Sequence, residues 1–134
     1  MRRVAYGCVA LAAVAAIASA GMSLVGASAA DNQLEGTVGP GFTITLTRHG
    51  EPVTELTPGL YYLTVDDQGT NHNFHVFGPG LDVEVTSVPF KGTVTVPLKI
   101  KDGTFTFQCD PHRATMHGTF VGLGEKDKQK PPKS

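Results

Sequence analysis

The sequence predicts a single all-β domain, a sandwich of about seven to eight short strands within residues 30–124. Two observations support this fold class directly. Apolar residues alternate with threonine or other polar residues in short runs of period two, which is typical of strands with one buried face. Segments rich in glycine, proline and aspartate separate these runs at short intervals, as turns do. A third observation excludes the main alternative: after the first thirty residues, no window has the sustained apolar spacing of an amphipathic helix.

The strands are predicted from the alternating runs in chain order. They cover residues 42–47, 60–65, 71–77, 93–100, 104–107 and 118–123. Residues 81–88 are less regular and predict a loop with one short strand. Pro97 lies inside a predicted strand and indicates an edge position or a bulge, because proline cannot donate a ladder hydrogen bond. The sequence Lys101-Asp102-Gly103 predicts a tight hairpin turn.

Residues 1–29 predict an export signal peptide that is not part of the fold. Two arginines precede the apolar run of residues 4–25, and the small-residue pattern Ala27-Ser28-Ala29 follows it. Cleavage is expected after Ala29, with Ala30 or the earlier motif at 18–20 as alternative sites. The other interpretation is an uncleaved membrane anchor, since the run approaches the roughly 20 apolar residues that span a bilayer. Its alanine and glycine content makes it only weakly hydrophobic, which favours cleavage and no stable membrane insertion afterwards.

The charge of the predicted domain argues against nucleic-acid binding. The full chain has 11 Lys and Arg against 12 Asp and Glu, but residues 30–124 hold 5 basic and 10 acidic residues, a net charge of −5. Such a domain lacks the basic footprint of a nucleic-acid-binding protein. A mildly acidic surface suits a partner protein with a positive patch. Residues 125–134, with four lysines and two prolines, predict a charged, disordered tail.

Cys109 is the only cysteine outside the predicted signal peptide. Exported proteins normally keep their cysteines in disulfides, so an unpaired one needs a chemical reason. Three reasons are available: an intermolecular bridge, a catalytic nucleophile, or a metal ion that binds the thiolate.

The neighbours of Cys109 favour the metal. Segments 71–75 and 109–118 contain four of the five histidines and Met116, the only methionine after residue 29. Thiolate, imidazole and thioether form a soft nitrogen–sulfur ligand set that suits copper, and a His₂Cys site with a weak axial methionine is diagnostic of blue copper. A short loop between two strands can present Cys109, His112 and Met116 to one point, while a distant strand supplies the second imidazole.

The two segments resemble motifs of the plastocyanin/azurin family of cupredoxins. Cys109-Asp-Pro-His112-x3-Met116-x-Gly-Thr-Phe120 is similar to the family's copper loop, and His72-Asn73-Phe74 to its first-histidine motif. The likeness covers about residues 35–124 and implies a cupredoxin-like Greek-key β-sandwich with one copper ion per chain. It implies His72, Cys109 and His112 as equatorial ligands and Met116 as the axial ligand. Asn73 would brace the ligand loop.

The sequence departs from the family pattern in one place and leaves two other histidines to consider. Three residues, where plastocyanins usually have four, separate His112 from Met116, which affects the axial geometry and the redox potential. His75 is an alternative to His72, although alternation places it on the opposite face of an extended strand. His117 is an alternative axial group beside Met116. His49, in a predicted turn, is expected to be solvated.

Together with the predicted signal peptide, the predicted copper site favours a secreted, monomeric one-electron carrier that exchanges electrons with redox partner proteins. We expect it not to be an enzyme, because three strong ligands and an axial thioether leave no open position on the metal. The alternative is copper storage or delivery outside the cytoplasm without a redox role. A cysteine hydrolase could use Cys109 with His112 as base, but it would lack a clear orienting acid and leave Met116 unexplained. A multicopper oxidase needs additional His-x-His pairs, which this sequence does not contain.

Overall fold

The computed structural model describes residues 29–129, and within this range ten strands form two five-stranded sheets. The strands are β1 (Gln33–Val38), β2 (Ile44–Arg48), β3 (Glu51–Pro52), β4 (Glu55–Leu56), β5 (Gly59–Asp67), β6 (Phe74–Gly78), β7 (Leu81–Thr86), β8 (Gly92–Ile100), β9 (Gly103–Gln108) and β10 (His117–Gly122). Short 3₁₀ turns cover Ala29–Asn32 and Asp110–His112, and helix α1 covers Glu125–Lys128. The predicted signal peptide, except for its last residue, lies outside the described residues.

The predicted all-β sandwich is confirmed, with both sheets of mixed direction. The first sheet has the order β3-β2-β1-β5-β8 and the second has the order β4-β10-β9-β6-β7. β1 runs parallel to β5 and β10 runs parallel to β4, whereas the other neighbours are antiparallel. There are more strands than the predicted seven to eight, partly because β3 and β4 are pairings of only two residues each.

The core lies between the sheets and is built from the inward residues of each alternating strand. On β5, for example, Tyr61, Leu63 and Val65 are buried while Tyr62 is exposed, as the period of two requires. Two aromatic pairs join neighbouring strands of the second sheet in stacked geometry. The ring centroids of Phe74 and Phe107 are 6.0 Å apart, and those of Phe105 and Phe120 are 5.1 Å apart. This apolar layer fixes the position of the strands that carry the site.

The strand β8 has the edge position that Pro97 predicted. It pairs only with β5, at the edge of the first sheet. The predicted hairpin at Lys101-Asp102-Gly103 is wrong, because β8 and β9 belong to different sheets and do not pair. The turn instead carries the chain across the sandwich, and β9 pairs with β10 and β6.

Three further segments differ from the sequence prediction. Residues Gln33–Val38 form β1 in the middle of the first sheet, although no strand was predicted there. Residues Leu81–Thr86, predicted as a loop with one short strand, form a six-residue strand along β6, and the register of this pairing shifts between Phe74 and His75. Within the tail, Glu125–Lys128 form one helical turn, and the Lys128 ammonium lies 3.0 Å from the Glu55 carboxylate. Within residues 29–129, no helix is long and apolar enough to cross a membrane.

Candidate metal centre

Three loops meet at one end of the sandwich, where the predicted ligands lie. One loop joins β1 to β2, another joins β5 to β6 and carries His72, and the third joins β9 to β10 and carries Cys109 and His112. β1 and β5 are parallel and both end here. The order of strands thus brings residues 37 positions apart in sequence, His72 and Cys109, to the same place.

Three donor atoms form a small triangle at this end. Nδ1 of His72 lies 3.2 Å from Nδ1 of His112, and the Cys109 sulfur lies 3.6 Å and 3.5 Å from these two nitrogens. Within residues 29–129, these three residues are the only group of three or more His, Cys, Asp or Glu side chains with the spacing of a metal site. The structure therefore brings together three of the four residues predicted from the sequence.

The triangle fits a transition metal. The point equidistant from the three atoms lies about 2.0 Å from each. This distance is close to the metal–ligand bond lengths in zinc sites, about 2.0–2.3 Å for imidazole nitrogen and thiolate sulfur. Both imidazoles present Nδ1 to the sulfur, so a single ion could be bound by all three donors. Two imidazoles and a thiolate are the donor set of a trigonal copper site.

The loop that carries Cys109 and His112 is held by its own backbone. The N–H of Cys109 donates to the carbonyl of Met116 at 3.0 Å, which extends the β9–β10 ladder by one bond. Within the loop, the N–H of His112 donates to the Cys109 carbonyl at 3.0 Å, and the N–H of Met116 donates to the His112 carbonyl at 2.9 Å. Pro111 lies in the first turn of the 3₁₀ segment and restricts it further. The loop is consequently a closed, hydrogen-bonded unit that limits ligand movement.

Met116 is the last residue of the loop between β9 and β10 and belongs to the hydrophobic core. Its side chain is fully buried, and its backbone carbonyl accepts the hydrogen bond from the N–H of Cys109. This position agrees with the loop predicted from the sequence. Its role as an axial ligand remains a prediction.

His72 is enclosed, and glycine makes this possible. The His72 side chain is buried. A Cβ on Gly69 would lie 2.9 Å from Cδ2 of His72, and one on Gly39 would lie 3.4 Å from the same atom. Gly39 also has φ of +73°, which L side chains rarely adopt. The two glycines therefore leave the space that the imidazole occupies.

His112, in contrast, is only half-buried and is covered by an aromatic ring. Phe42, in the β1–β2 loop, is 64% exposed, yet its ring centroid lies 4.9 Å from that of His112 and 6.1 Å from that of His72. Both contacts are edge-to-face. Phe42 was predicted only as the first residue of a strand, and no sequence signal placed it over the candidate ligands.

Asn73 connects the two ligand-bearing loops. Its side-chain oxygen accepts a hydrogen bond of 2.7 Å from the backbone N–H of Asp110, and its amide nitrogen donates to the Asp110 carboxylate at 2.9 Å. The same nitrogen lies 3.2 Å from Glu84 on β7. Asn73 thus makes the contacts expected of a residue that braces the ligand loop.

The remaining histidines lie outside the triangle. Both ring nitrogens of His75 face carboxylates, those of Asp82 and Asp110. The side chain of His117 is exposed and its Nδ1 bonds the Arg113 carbonyl at 2.8 Å. His49 occupies the predicted turn with φ of +53°, and its side chain is exposed. The sequence does not reveal the carboxylates around His75 as a group, because strand pairing brings them together.

Solved structures of rusticyanin share this architecture, whereas no protein-family model and no curated protein sequence matches the chain. A methionine-to-leucine variant of rusticyanin matches with a TM-score of 0.50 at 21% identity, over 68% of this chain and 76% of that chain. Reduced rusticyanin gives 0.49 at 22% identity over 68% and 78%, and rusticyanin from Thiobacillus ferrooxidans gives 0.47 at 22% identity over 68% and 76%. At these identities the likeness shows the fold alone.

Rusticyanin is a cupredoxin. This chain has the cupredoxin fold. The resemblance found in the two sequence motifs is therefore confirmed at the level of the fold. His72, Cys109 and His112 form a cluster that could hold a metal ion.

Proposed function

We propose that this cupredoxin is an exported type 1 copper protein that carries one electron at a time. His72, Cys109 and His112 would bind the ion in a trigonal plane, with Met116 as the axial ligand. One observation carries the proposal, namely the triangle of one sulfur and two nitrogens with edges of 3.2 to 3.6 Å. Two imidazoles and one thiolate at this spacing suit copper.

Bound copper would supply a one-electron couple, and the chain supplies the conditions for fast exchange. The burial of His72 and Cys109 excludes water from most of the centre. The backbone bonds between Cys109, His112 and Met116 restrict the loop, so that the ligands need to move little between the two oxidation states. Small movement of the ligands favours rapid electron exchange.

The half-buried ring of His112 is the natural point of electron entry. It is the most exposed of the three donors, and it lies under the exposed ring of Phe42. A partner that contacts this end of the sandwich would come close to His112 without opening the protein. The net charge of −5 on residues 30–124 suits a redox partner protein with a basic docking surface.

Catalysis is disfavoured by the same ligand arrangement. Metal-assisted catalysis needs a coordination position open to water or substrate, whereas three protein donors and an axial thioether would occupy the positions around the ion. We expect no substrate turnover. The predicted signal peptide favours a location outside the cytoplasm. There a bound metal would account for the unpaired Cys109 and protect its thiolate from oxidation.

An absorption spectrum of the mature protein loaded with Cu(II) tests the copper site. We expect an intense visible thiolate-to-copper band that Cys109→Ser abolishes. His72→Ala should also lose this band, whereas His75→Ala should retain a thiolate band because its ring nitrogens face carboxylates. His49→Asn, in an exposed turn, serves as the unaffected control. Weak bands typical of nitrogen–oxygen sites in the unmodified protein would show that the type 1 assignment is wrong.

Voltammetry separates electron transfer from copper storage or delivery. An electron carrier should show one reversible one-electron couple and keep its copper in both oxidation states. If Cu(I) passes readily to a chelator while electron exchange is slow, delivery is the better description.

A further inference from the structure

The outer face of the second sheet carries a histidine that the metal cluster does not use. Nε2 of His75, on β6, lies 2.6 Å from a carboxylate oxygen of Asp82 on β7. Its Nδ1 lies 3.0 Å from both carboxylate oxygens of Asp110, which directly follows Cys109. His75 therefore links a neighbouring strand to Asp110, the second residue of the loop that carries Cys109 and His112.

The geometry favours the imidazolium form of His75. A neutral imidazole has one N–H, so one of its two nitrogens would direct a lone pair at a carboxylate. With both nitrogens protonated, each donates to a carboxylate. Burial is the largest single influence on the pKa of His75 and lowers it, but the hydrogen bonds and negative charges of Asp82 and Asp110 together outweigh it and raise the pKa above its ordinary value.

Asp110 transmits this contact to the ligand loop. Its carboxylate also accepts hydrogen bonds from the side chains of Gln108, at 2.7 Å, and Asn73, at 2.9 Å. Its backbone N–H, which belongs to the peptide group after Cys109, donates to Asn73. The orientation of that peptide group, and with it the direction of the Cys109 side chain, depends on where the Asp110 carboxylate is held.

Negative charges surround His75 in the described part of the chain. From β7, Asp82 bonds the ring and Glu84 lies opposite His75 in the strand register. From the ligand loop, Asp110 bonds the other nitrogen. Gln108, opposite His75 on β9, is neutral. No described cation is bonded to this group, so His75 is its only positive charge.

We propose that His75 is a positioning residue whose imidazolium, held between Asp82 and Asp110, fixes the start of the ligand loop and makes the metal centre sensitive to proton occupancy at His75. The part that concerns the metal rests on the proposed copper site. Loss of the proton would leave one N–H for two carboxylates, so the link from Asp82 on β7 through His75 to Asp110 would break. The peptide group after Cys109 could then shift. It would also remove a positive charge near the proposed copper site. Because this favours Cu(II) over Cu(I), the reduction potential of the bound copper would fall.

The first test uses the metal-free protein, so that it does not depend on copper. Nuclear magnetic resonance would follow the His75 ring and the Asp110 backbone amide as the pH is raised. We expect both to change with one common midpoint, above the ordinary 6.5 of histidine. Asp82→Asn should move this midpoint to lower pH, and in His75→Gln the Asp110 amide should no longer respond. His49→Asn is the matched control and should leave both signals unchanged. An Asp110 amide that ignores the His75 titration would overturn the proposal.

The second test uses the protein loaded with Cu(II). As the pH is raised, the thiolate band and the redox potential should both shift, and the pH midpoint of these shifts should equal that of the metal-free titration. We expect this in the unmodified protein and in His49→Asn, but not in His75→Gln. Persistence of the shift in His75→Gln would refute the coupling to the metal. If the proposed copper site itself is wrong, no thiolate band will form at any pH. The titration of the metal-free protein would then still decide the role of His75.

Discussion

The side-chain oxygen of Asn73 accepts a hydrogen bond of 2.7 Å from the backbone N–H of Asp110, so the residue after His72 is tied to the residue after Cys109. Asn73 is only 3% exposed. Water cannot easily replace the bond, and a buried donor without a partner is unfavourable by about 1–3 kcal/mol. The separation of the two ligand segments is therefore set partly by this one amide group.

Replacing Asn73 by alanine should destabilise the metal-free protein by about 1–3 kcal/mol, because the Asp110 N–H and carboxylate lose buried partners. Urea denaturation would measure the change. Gln68→Ala is the matched control, since that amide is exposed and has one hydrogen bond, to Asp66. Equal losses in the two variants would contradict a specific bracing role for Asn73.

Replacing Gly69 by alanine should weaken metal binding more than it weakens the fold. The added Cβ would lie 2.9 Å from Cδ2 of His72, so the imidazole would have to move. A displaced ring enlarges the triangle of donor atoms. Competition with a copper chelator would measure the affinity, with Thr70→Ala, at the exposed neighbouring position, as control. Unchanged affinity in Gly69→Ala would show that His72 has room to adjust.

Replacing Phe42 by alanine should speed metal release without a large loss of stability. The ring is mostly exposed and contributes little to the core, but it covers His112 and His72. Its removal opens the donors to water and chelators. The rate of copper loss to a chelator, measured by absorption, should rise in Phe42→Ala and not in Phe90→Ala. Phe90 is also exposed, but its ring faces Gly92. Equal rates would indicate that Phe42 does not control access.

The pair His75 and Asp110 should stabilise the protein only within a window of pH. The raised pKa of His75 means that its contribution is complete below 6.5 and is lost as the pH rises through the folded-state pKa. The pKa of Asp110 is lowered. Burial is the largest influence and raises it, but the hydrogen bonds from Gln108, Asn73 and His75 prevail. Its contribution is complete above 3.8 and is lost as the pH falls.

A double-mutant cycle with His75→Gln and Asp110→Asn would measure this window by urea denaturation of the metal-free protein. We expect a coupling free energy of about 0.2–1 kcal/mol between pH 4 and pH 6.5, the usual range for a part-exposed ion pair. The coupling should decline at both strongly acidic and strongly alkaline pH. A coupling that does not vary with pH would mean that the contact is not ionic.

The clustering of the candidate ligands could be predicted from the sequence more completely than the sheets. His72, Cys109 and His112 were identified because rare residue types occur in two short motifs, and the structure places their donor atoms together. The strand β8 was found by its alternation, and its edge position by Pro97. These features are local, and they are visible in a few consecutive residues.

The missed features depend on contacts between distant residues. β1 alternates in burial along its whole length, but its middle inward position is Gly36, which has no apolar side chain to mark the pattern. Its place between β2 and β5 gives it hydrogen-bonded neighbours on both sides. The turn at Lys101-Asp102-Gly103 has the composition of a hairpin, but whether the chain reverses within one sheet or crosses to the other is decided by the packing of the whole sandwich. The bonds of His75 to Asp82 and Asp110 likewise follow from strand pairing.

The parallel pairing of β1 with β5 has a practical consequence for attaching this protein to a surface. Val38 lies beside Asp67 at the end that holds the metal cluster, so Gln33 lies at the opposite end, about 17 Å away along the strand. A linker joined at residue 29 would therefore extend from the end of the sandwich that is remote from His112. An electrode coupled through such a linker would have to exchange electrons across the length of the sandwich. Adsorption through the end that carries Phe42 would bring the cluster close to the conductor, and the currents of the two orientations should differ sharply.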